Sequence, residues 1–282
     1  MKQIEFDKSL LDHLHGLSCI ENYVLYLLRK EGFPYQYLYY QSYLSFREIA
    51  DNFVYGDTQY AYFYKVKRLQ NLAVETGSIQ IQSCEKLDLD FICSHDYICV
   101  MVKSEYIKEK YNVDLWREDH YILLSNMDGF RFNYLNDTPR DVGTISFSEL
   151  KQIYGSDMIA IEMGSNVTDE MKQDFLRKLI KSMHIDEDVE QYNLIDYIMA
   201  RDILGICRVL RKRIYEFSSM YMDAEFLKPY LYMLDQQYLA IEYLRLRKNA
   251  DYSKVNDIML HVAAEDAKNM KRLLTILSRM GG

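Results

Sequence analysis

Asp128-Gly129 most narrows what this chain can fold into, because it sits between Tyr121-Ile122-Leu123-Leu124 and Phe130-Arg131-Phe132-Asn133-Tyr134-Leu135. Asp-Gly takes the positive backbone angles of a two-residue type I′ turn, and both flanks are rich in strand formers. The sequence therefore predicts a β-hairpin. With Asp128-Gly129 as the whole turn, Met127 faces Phe130, and stepping outward brings His120 opposite Asp137. Directly opposed residues share a face, with Cβ atoms about 5 Å apart. A carboxylate at that distance fixes an imidazole's tautomer and stabilises its protonated form. A turn one residue longer would separate the two, and Asn136 is then the first replacement for Asp137.

Cys19 lies far upstream, directly before the apolar-periodic run 23–28. Unpaired N–H groups and the dipole at a helix start favour thiolate over thiol, which suits a nucleophile. Each residue also has an ordinary reading. A cysteine before a helix is commonly a small buried hydrophobe, a histidine opening a strand a structural residue, and Asn136-Asp137-Thr138-Pro139 a turn. Their conjunction points to cysteine-dependent acyl transfer, with Cys19 as nucleophile, His120 as base and Asp137 as orienting acid.

The order of cysteine on a helix, histidine opening a strand and Asn/Asp ending the next strand is that of papain-like folds. His15-Gly16-Leu17-Ser18-Cys19, Leu27-Leu28, Gly32 and Ser42-Tyr43-Leu44-Ser45-Phe46 resemble the N-terminal domain of the butirosin-biosynthesis acyltransferase family. His120-Tyr121-Ile122-Leu123-Leu124, Asn136-Asp137 and the stretch Ile145 to Leu150 fit the same group and the bacteriocin-processing peptidases. The resemblance spans residues 10–160. It implies an acyl group passed from the phosphopantetheine thioester of an acyl carrier protein, through the cysteine, to an amine. Papain-like amide synthetases of closthioamide-type (polythioamide) nonribosomal pathways are similar. The chain departs from the peptidase pattern in lacking a glutamine before the cysteine. His13 stands where that oxyanion donor is expected, beside the Cys19 N–H; two histidines in a surface loop are the plain alternative.

The chain has 282 residues, with 49% hydrophobic and 27% charged, which places it among ordinary globular proteins. No apolar run approaches the roughly 20 residues that span a bilayer, and the first residues lack a signal peptide's apolar core, so a cytoplasmic location away from membranes is expected. Five cysteines without framework spacing are expected to be reduced. Cys93, His95 and Cys99 match no common zinc spacing, and the segment around 91–93 reads as a buried strand, so no metal is expected. No phosphate-binding loop or dinucleotide fingerprint appears, so no cofactor is expected.

A net charge of −8 argues against nucleic acid as a partner. It would also repel an acidic carrier protein unless a local basic patch receives it. Arg208, Arg211, Lys212 and Arg213 form one candidate, and Arg245, Arg247 and Lys248 another; both also fit solvated helix faces. The 26 tyrosines are expected mostly at half-buried positions with hydroxyls reaching water.

Helices are predicted over 18–30, stopped by Gly32 and Pro34, and over 45–52, 57–76 and 104–110. Strands are predicted over 78–82, 97–103, the hairpin arms and 157–162. From residue 168 helical periodicity prevails, over 169–181, 191–221, 224–248 and 256–280. The expected class is α+β: a papain-like half with an antiparallel sheet over 1–163 and an all-helical half over 164–282. The helical half is expected to shelter the acyl-enzyme from water. Two rivals share these features: a cysteine hydrolase or peptidase with the same triad, and a binding protein on a papain-like scaffold.

Overall fold

Alternating apolar residues in the middle of the chain build one antiparallel sheet, described in a computed structural model. The structure describes residues 5–12, 18–54, 67–114, 119–126, 128, 130–186, 196–247 and 252–281. The strands are β1 (Ile79–Cys84), β2 (Ile98–Val102), β3 (His120–Asn126), β4 (Arg131–Asp137), β5 (Arg140–Ser146) and β6 (Tyr154–Met163). They lie in the order β1-β6-β2-β3-β4-β5, every neighbouring pair antiparallel. The first helices are α1 (Cys19–Lys30), α2 (Phe46–Val54), α3 (Leu69–Glu75), α4 (Leu89–Ser94), α5 (Ser104–Tyr111) and α6 (Phe147–Ile153). Four longer ones follow: α7 (Asp169–Ser182), α8 (Tyr197–Ser218), α9 (Lys228–Leu246) and α10 (Tyr252–Ser278). The chain is α+β, with an antiparallel sheet followed by a helical C-terminal half.

The chain divides into two compact units: Met1–Tyr35 with Leu69–Asn166, and Gln36–Arg68 with Val167–Gly282. In the first unit the period of two sorts the sheet faces. Ile98, Val100, Ile122, Leu124, Phe132 and Met158 enter one buried cluster with Ile92 of α4, Ile107 of α5 and Leu150 of α6. Cys99, Leu123 and Leu135 alternate to the other side and are fully buried. Helix α1 packs on β3 and β4. Every residue of α1 from Glu21 to Leu28 is buried. The buried Glu21 carboxylate is satisfied by the N–H of Ser18, closing a capping box, and by the N–H of Leu69. Gly32, at φ 67°, ends the helix, and the N–H of Phe33 reaches back to Leu28.

The second unit includes residues 36–68, which the sequence assigns to the first half. Within it the Tyr40 ring stacks on Phe175 at 4.3 Å, and Tyr43 donates to the carbonyl of His184. Arg211 donates to the carbonyl of Leu44, and α2 packs on α8.

The local expectations fare unevenly. The segment around 91–93 is not a strand but the helix α4, because Asp88 caps it, accepting from the N–H groups of Asp90 and Phe91. Strand β5 and helix α6 were not expected. Part of the helix predicted over 57–76 is α3; residues 55–66 and 187–195 lie outside the described residues.

Several tyrosines are more deeply buried than expected: Tyr23, Tyr43, Tyr97 and Tyr230 all have their hydroxyls bonded inside the protein. Burial disfavours phenolate and raises the pKa of all four above 10.0; it likewise pushes the Cys19 thiol from 9.0 up to about 11. Groups whose folded pKa is raised lend stability that is complete below the unfolded values and lost as pH rises through the folded ones. Thermal melting should therefore hold level to about pH 9 and fall steeply toward pH 11. An unchanged midpoint at pH 11 would contradict this.

Candidate active site

The site is built where α1 begins beside the open end of the β3–β4 pair. Ser18 caps α1, so Cys19 is its first residue, with backbone N–H groups that no helical carbonyl can reach. The N–H of Tyr121 at the start of β3, with those of Ile20 and Cys19 itself, acts on the Cys19 sulfur and favours thiolate. Burial opposes them most strongly and the Asp137 carboxylate next, and together these push the thiol up to about 11. That rise from 9.0 corresponds to about 3 kcal/mol against the thiolate. A helix N-terminus returns roughly 0.3–1 kcal/mol. The expected thiolate is thus corrected: at neutral pH Cys19 is a protonated thiol.

His120 Nε2 lies 3.0 Å from Asp137 Oδ1, and both side chains are buried. The sequence anticipates this contact but not its cause. The β3–β4 register runs from Asn126↔Phe132 to Leu123↔Leu135, one residue away from that of a two-residue turn. Asp128 closes the longer loop, its carboxylate accepting from the N–H groups of Phe130 and Arg131. Met127 and Gly129 lie outside the described residues. Continued regularly, this ladder would pair Tyr121 with Asp137 and leave His120 opposite Thr138.

Helix α1 supplies what the ladder does not. Tyr23, one turn after Cys19, donates its hydroxyl to the carbonyl of Tyr121 at 2.8 Å and accepts the N–H of Asp137 at 3.2 Å. The same hydroxyl lies 3.4 Å from Asp137 Oδ1. Asn22 donates to Asp137 Oδ2 at 3.2 Å and accepts the N–H of Asp12 at 3.0 Å. Arg140 holds the carbonyl of Asp12 at 2.5 Å. The lead-in to Cys19 is therefore tied at Asp12 and at Ser18. His13, the oxyanion candidate between them, lies outside the described residues. Asn136, the alternative partner for His120, is fully buried and donates to the carbonyl of Pro139 at 2.8 Å.

Sequence reasoning missed Asn22 and Tyr23. Their signal was spacing: positions three and four after Cys19 place both on its face of the helix.

Other residues singled out by the sequence lie elsewhere. Cys99 is buried in β2, and His95 Nδ1 lies 2.8 Å from the carbonyl of Phe91. Among the described residues no group of three or more His, Cys, Asp or Glu is arranged to hold a metal. A cavity of about 660 Å³, lined by Lys30, Glu31, His95, Tyr97 and Glu162 among others, opens at the far end of α1 from Cys19. The basic set Arg208 to Arg213 is corrected: it is not a surface patch. Arg211 and Arg213 are buried, Arg208 bonds Asp235 at 2.6 Å, and Lys212 lies 3.9 Å from Glu216. In the second set Arg245 pairs with Glu242 and Arg247 lies over the Tyr243 ring, while Lys248 is outside the described residues. Among the described residues no helix is long and apolar enough to cross a membrane.

No family model matches the chain, and no curated protein matches it. Among solved structures, a periplasmic domain of the EpsAB fusion protein of the Vibrio vulnificus type II secretion system is similar over 31% of this chain and 34% of that one, with 15% identity and a TM-score of 0.24. The match thus spans about a third of that structure's length, and a likeness of this size carries no argument about fold or function.

Proposed function

We propose that the protein is a cysteine-dependent acyltransferase that forms amides, taking its acyl group from a carrier-bound thioester. The reading is supported above all by one observation: the Tyr121 amide and the Asp137 carboxylate both act on Cys19 at the start of α1, and that carboxylate lies 3.0 Å from His120 Nε2. The resemblance to papain-like acyltransferases points the same way and supplies the donor, the amine acceptor and a cytoplasmic setting with reduced thiols.

A protonated resting thiol dictates the order of events. As Cys19 Sγ attacks the thioester carbonyl, its proton passes to His120, and a carbon–sulfur bond forms. With Nε2 facing Asp137 Oδ1 at 3.0 Å, Nδ1 is the nitrogen left for this transfer. Asp137 stabilises the imidazolium, while the backbone N–H of Cys19 is placed to receive charge on the carbonyl oxygen. The donor carbon–sulfur bond then breaks, and His120 returns the proton to the departing thiol. An amine next attacks the acyl-enzyme, His120 takes its proton, and the amide leaves with Cys19 restored as thiol. Thioester to amide is downhill, so the sequence of steps requires no nucleotide.

The hydrolase reading differs only in the acceptor. Incubation with an acyl-pantetheine thioester across a series of primary amines should give amide that rises with amine concentration at the expense of free acid. Free acid alone at every amine concentration would favour the hydrolase.

A further inference from the structure

The hydroxyl of Tyr23 takes the place of a backbone hydrogen bond. In the β3–β4 register, Tyr121 and Asp137 are the next odd-numbered pair beyond Leu123↔Leu135. The Phe147 N–H bonds the Phe130 carbonyl, so the backbone groups of even-numbered residues here face β5 and those of odd-numbered ones face β3, and a regular ladder would join the Tyr121 carbonyl directly to the Asp137 N–H. Here both groups bond instead to one phenol oxygen, which donates to the first at 2.8 Å and accepts from the second at 3.2 Å. The Tyr121 N–H is also turned away from the ladder, toward the Cys19 sulfur. Two side chains of α1, one turn apart, therefore take up the backbone groups that would otherwise close the hairpin.

Opening the ladder changes what the hairpin presents. Strict alternation groups His120 with Val102 and Ile122, and Asp137 with Leu135, on opposite faces of the sheet. The observed 3.0 Å contact between Nε2 and Oδ1 requires the strand ends to part and turn. Tyr23 is fully buried, so its ring is held by packing and its hydroxyl has a fixed position between the strands. Asn22 restrains the second carboxylate oxygen from the neighbouring helix position.

We propose that Tyr23 is the positioning residue of this site: its hydroxyl, inserted between Tyr121 and Asp137, holds β3 and β4 apart so that Asp137 meets His120. The proposal rests on reading His120 and Asp137 as base and orienting acid. Tyr23 acts through Tyr121 and Asp137. The charged and titratable groups around it are Asp137 on β4, Cys19 on its own helix and Cys99 on β2, with His120 next along β3. Burial and the Asp137 carboxylate keep its hydroxyl protonated well above neutral pH, so it remains a donor throughout the working range.

The test is spectroscopic and needs no substrate. An imidazole N–H facing a buried carboxylate at 3.0 Å should give a low-field proton resonance in the wild type, identified by its loss in His120→Ala and in Asp137→Asn; its absence from the wild type would overturn the proposal. Tyr23→Phe keeps the ring and removes only the wedge; it should lose that resonance while the protein still melts cooperatively. Retention of the resonance at its wild-type position would overturn the proposal. Should Tyr23→Phe fail to fold, 3-fluorotyrosine at position 23 keeps the bridge but makes the hydroxyl a stronger donor. The resonance should then shift, and an unmoved signal would overturn the proposal equally. Because the readout is independent of acylation, failure of Cys19 to accept an acyl group would count against the proposed function and leave this result standing.

Discussion

Cys19→Ala is expected to lower acyl transfer roughly ten-thousandfold or more, because it removes the atom that carries the acyl group between donor and acceptor. The fold should survive. Cys19 is only partly buried at the first position of α1, and the cap belongs to Ser18 and Glu21, which the substitution does not touch. A stability loss of about 1 kcal/mol is the expected scale. Circular dichroism and thermal melting of the variant, beside its activity, separate lost chemistry from lost structure. Activity within tenfold of wild type would remove Cys19 from the mechanism.

Arg211→Met should destabilise the protein far more than Cys19→Ala does. Arg211 and Asp266 are both almost fully buried and joined by two bonds, of 2.6 and 2.8 Å, from Nε and Nη2. Nη2 also donates to the carbonyl of Leu44, the Tyr230 hydroxyl bonds Asp266, and the guanidinium lies 5.1 Å from the Tyr43 ring centre. One side chain of α8 thus ties together α10, α9 and the segment before α2. Removing the cation strands a buried carboxylate, which costs about 3–5 kcal/mol. The double change Arg211→Met with Asp266→Leu should recover a large part of that loss, since the uncompensated charge is then gone as well. Urea unfolding of the two variants measures both numbers. A single variant within about 1 kcal/mol of wild type would show the pair to be dispensable.

Arg211 also shows where sequence reasoning ends. The run Arg208-Val209-Leu210-Arg211-Lys212-Arg213 looks like a basic helix face, but only tertiary packing decides that Asp266, 55 residues on, arrives to bury one of its charges. The long helices were legible because each carries its own period of apolar residues, and α7 begins with the cap at Thr168 that its sequence announces. Helix α6 was equally legible and was missed: Ser146-x-x-Glu149 forms a capping box with both bonds made. Helix α4 was mistaken for strand because Phe91-Ile92-Cys93 suits either, and Asp88, the residue that settles it, lies outside that triplet.

The candidate site was legible in its members and not in its geometry. Cys19, His120 and Asp137 were identifiable by type and order, and the structure brings His120 and Asp137 together. The register argument behind that contact fails by one residue, because the Asp128 carboxylate closes a longer loop. Tyr23 restores the contact through a hydroxyl 114 residues away from Asp137 in sequence, beyond the reach of any local pattern. The thiol was misjudged for a related reason. Dipole and capping are written in neighbouring residues, whereas desolvation and the Asp137 carboxylate arrive only with the tertiary fold.

The central claim, that Cys19 carries the acyl group, is met most directly by mapping the covalent adduct. The wild-type protein would be incubated with a short acyl-pantetheine thioester at about pH 8 without amine, quenched in acid, digested and sequenced by mass spectrometry. The account predicts a single acyl addition on the peptide containing Cys19, lost on later treatment with amine and absent from Cys19→Ala. An adduct confined to Cys84, Cys93, Cys99 or Cys207, or no adduct on Cys19, would contradict it.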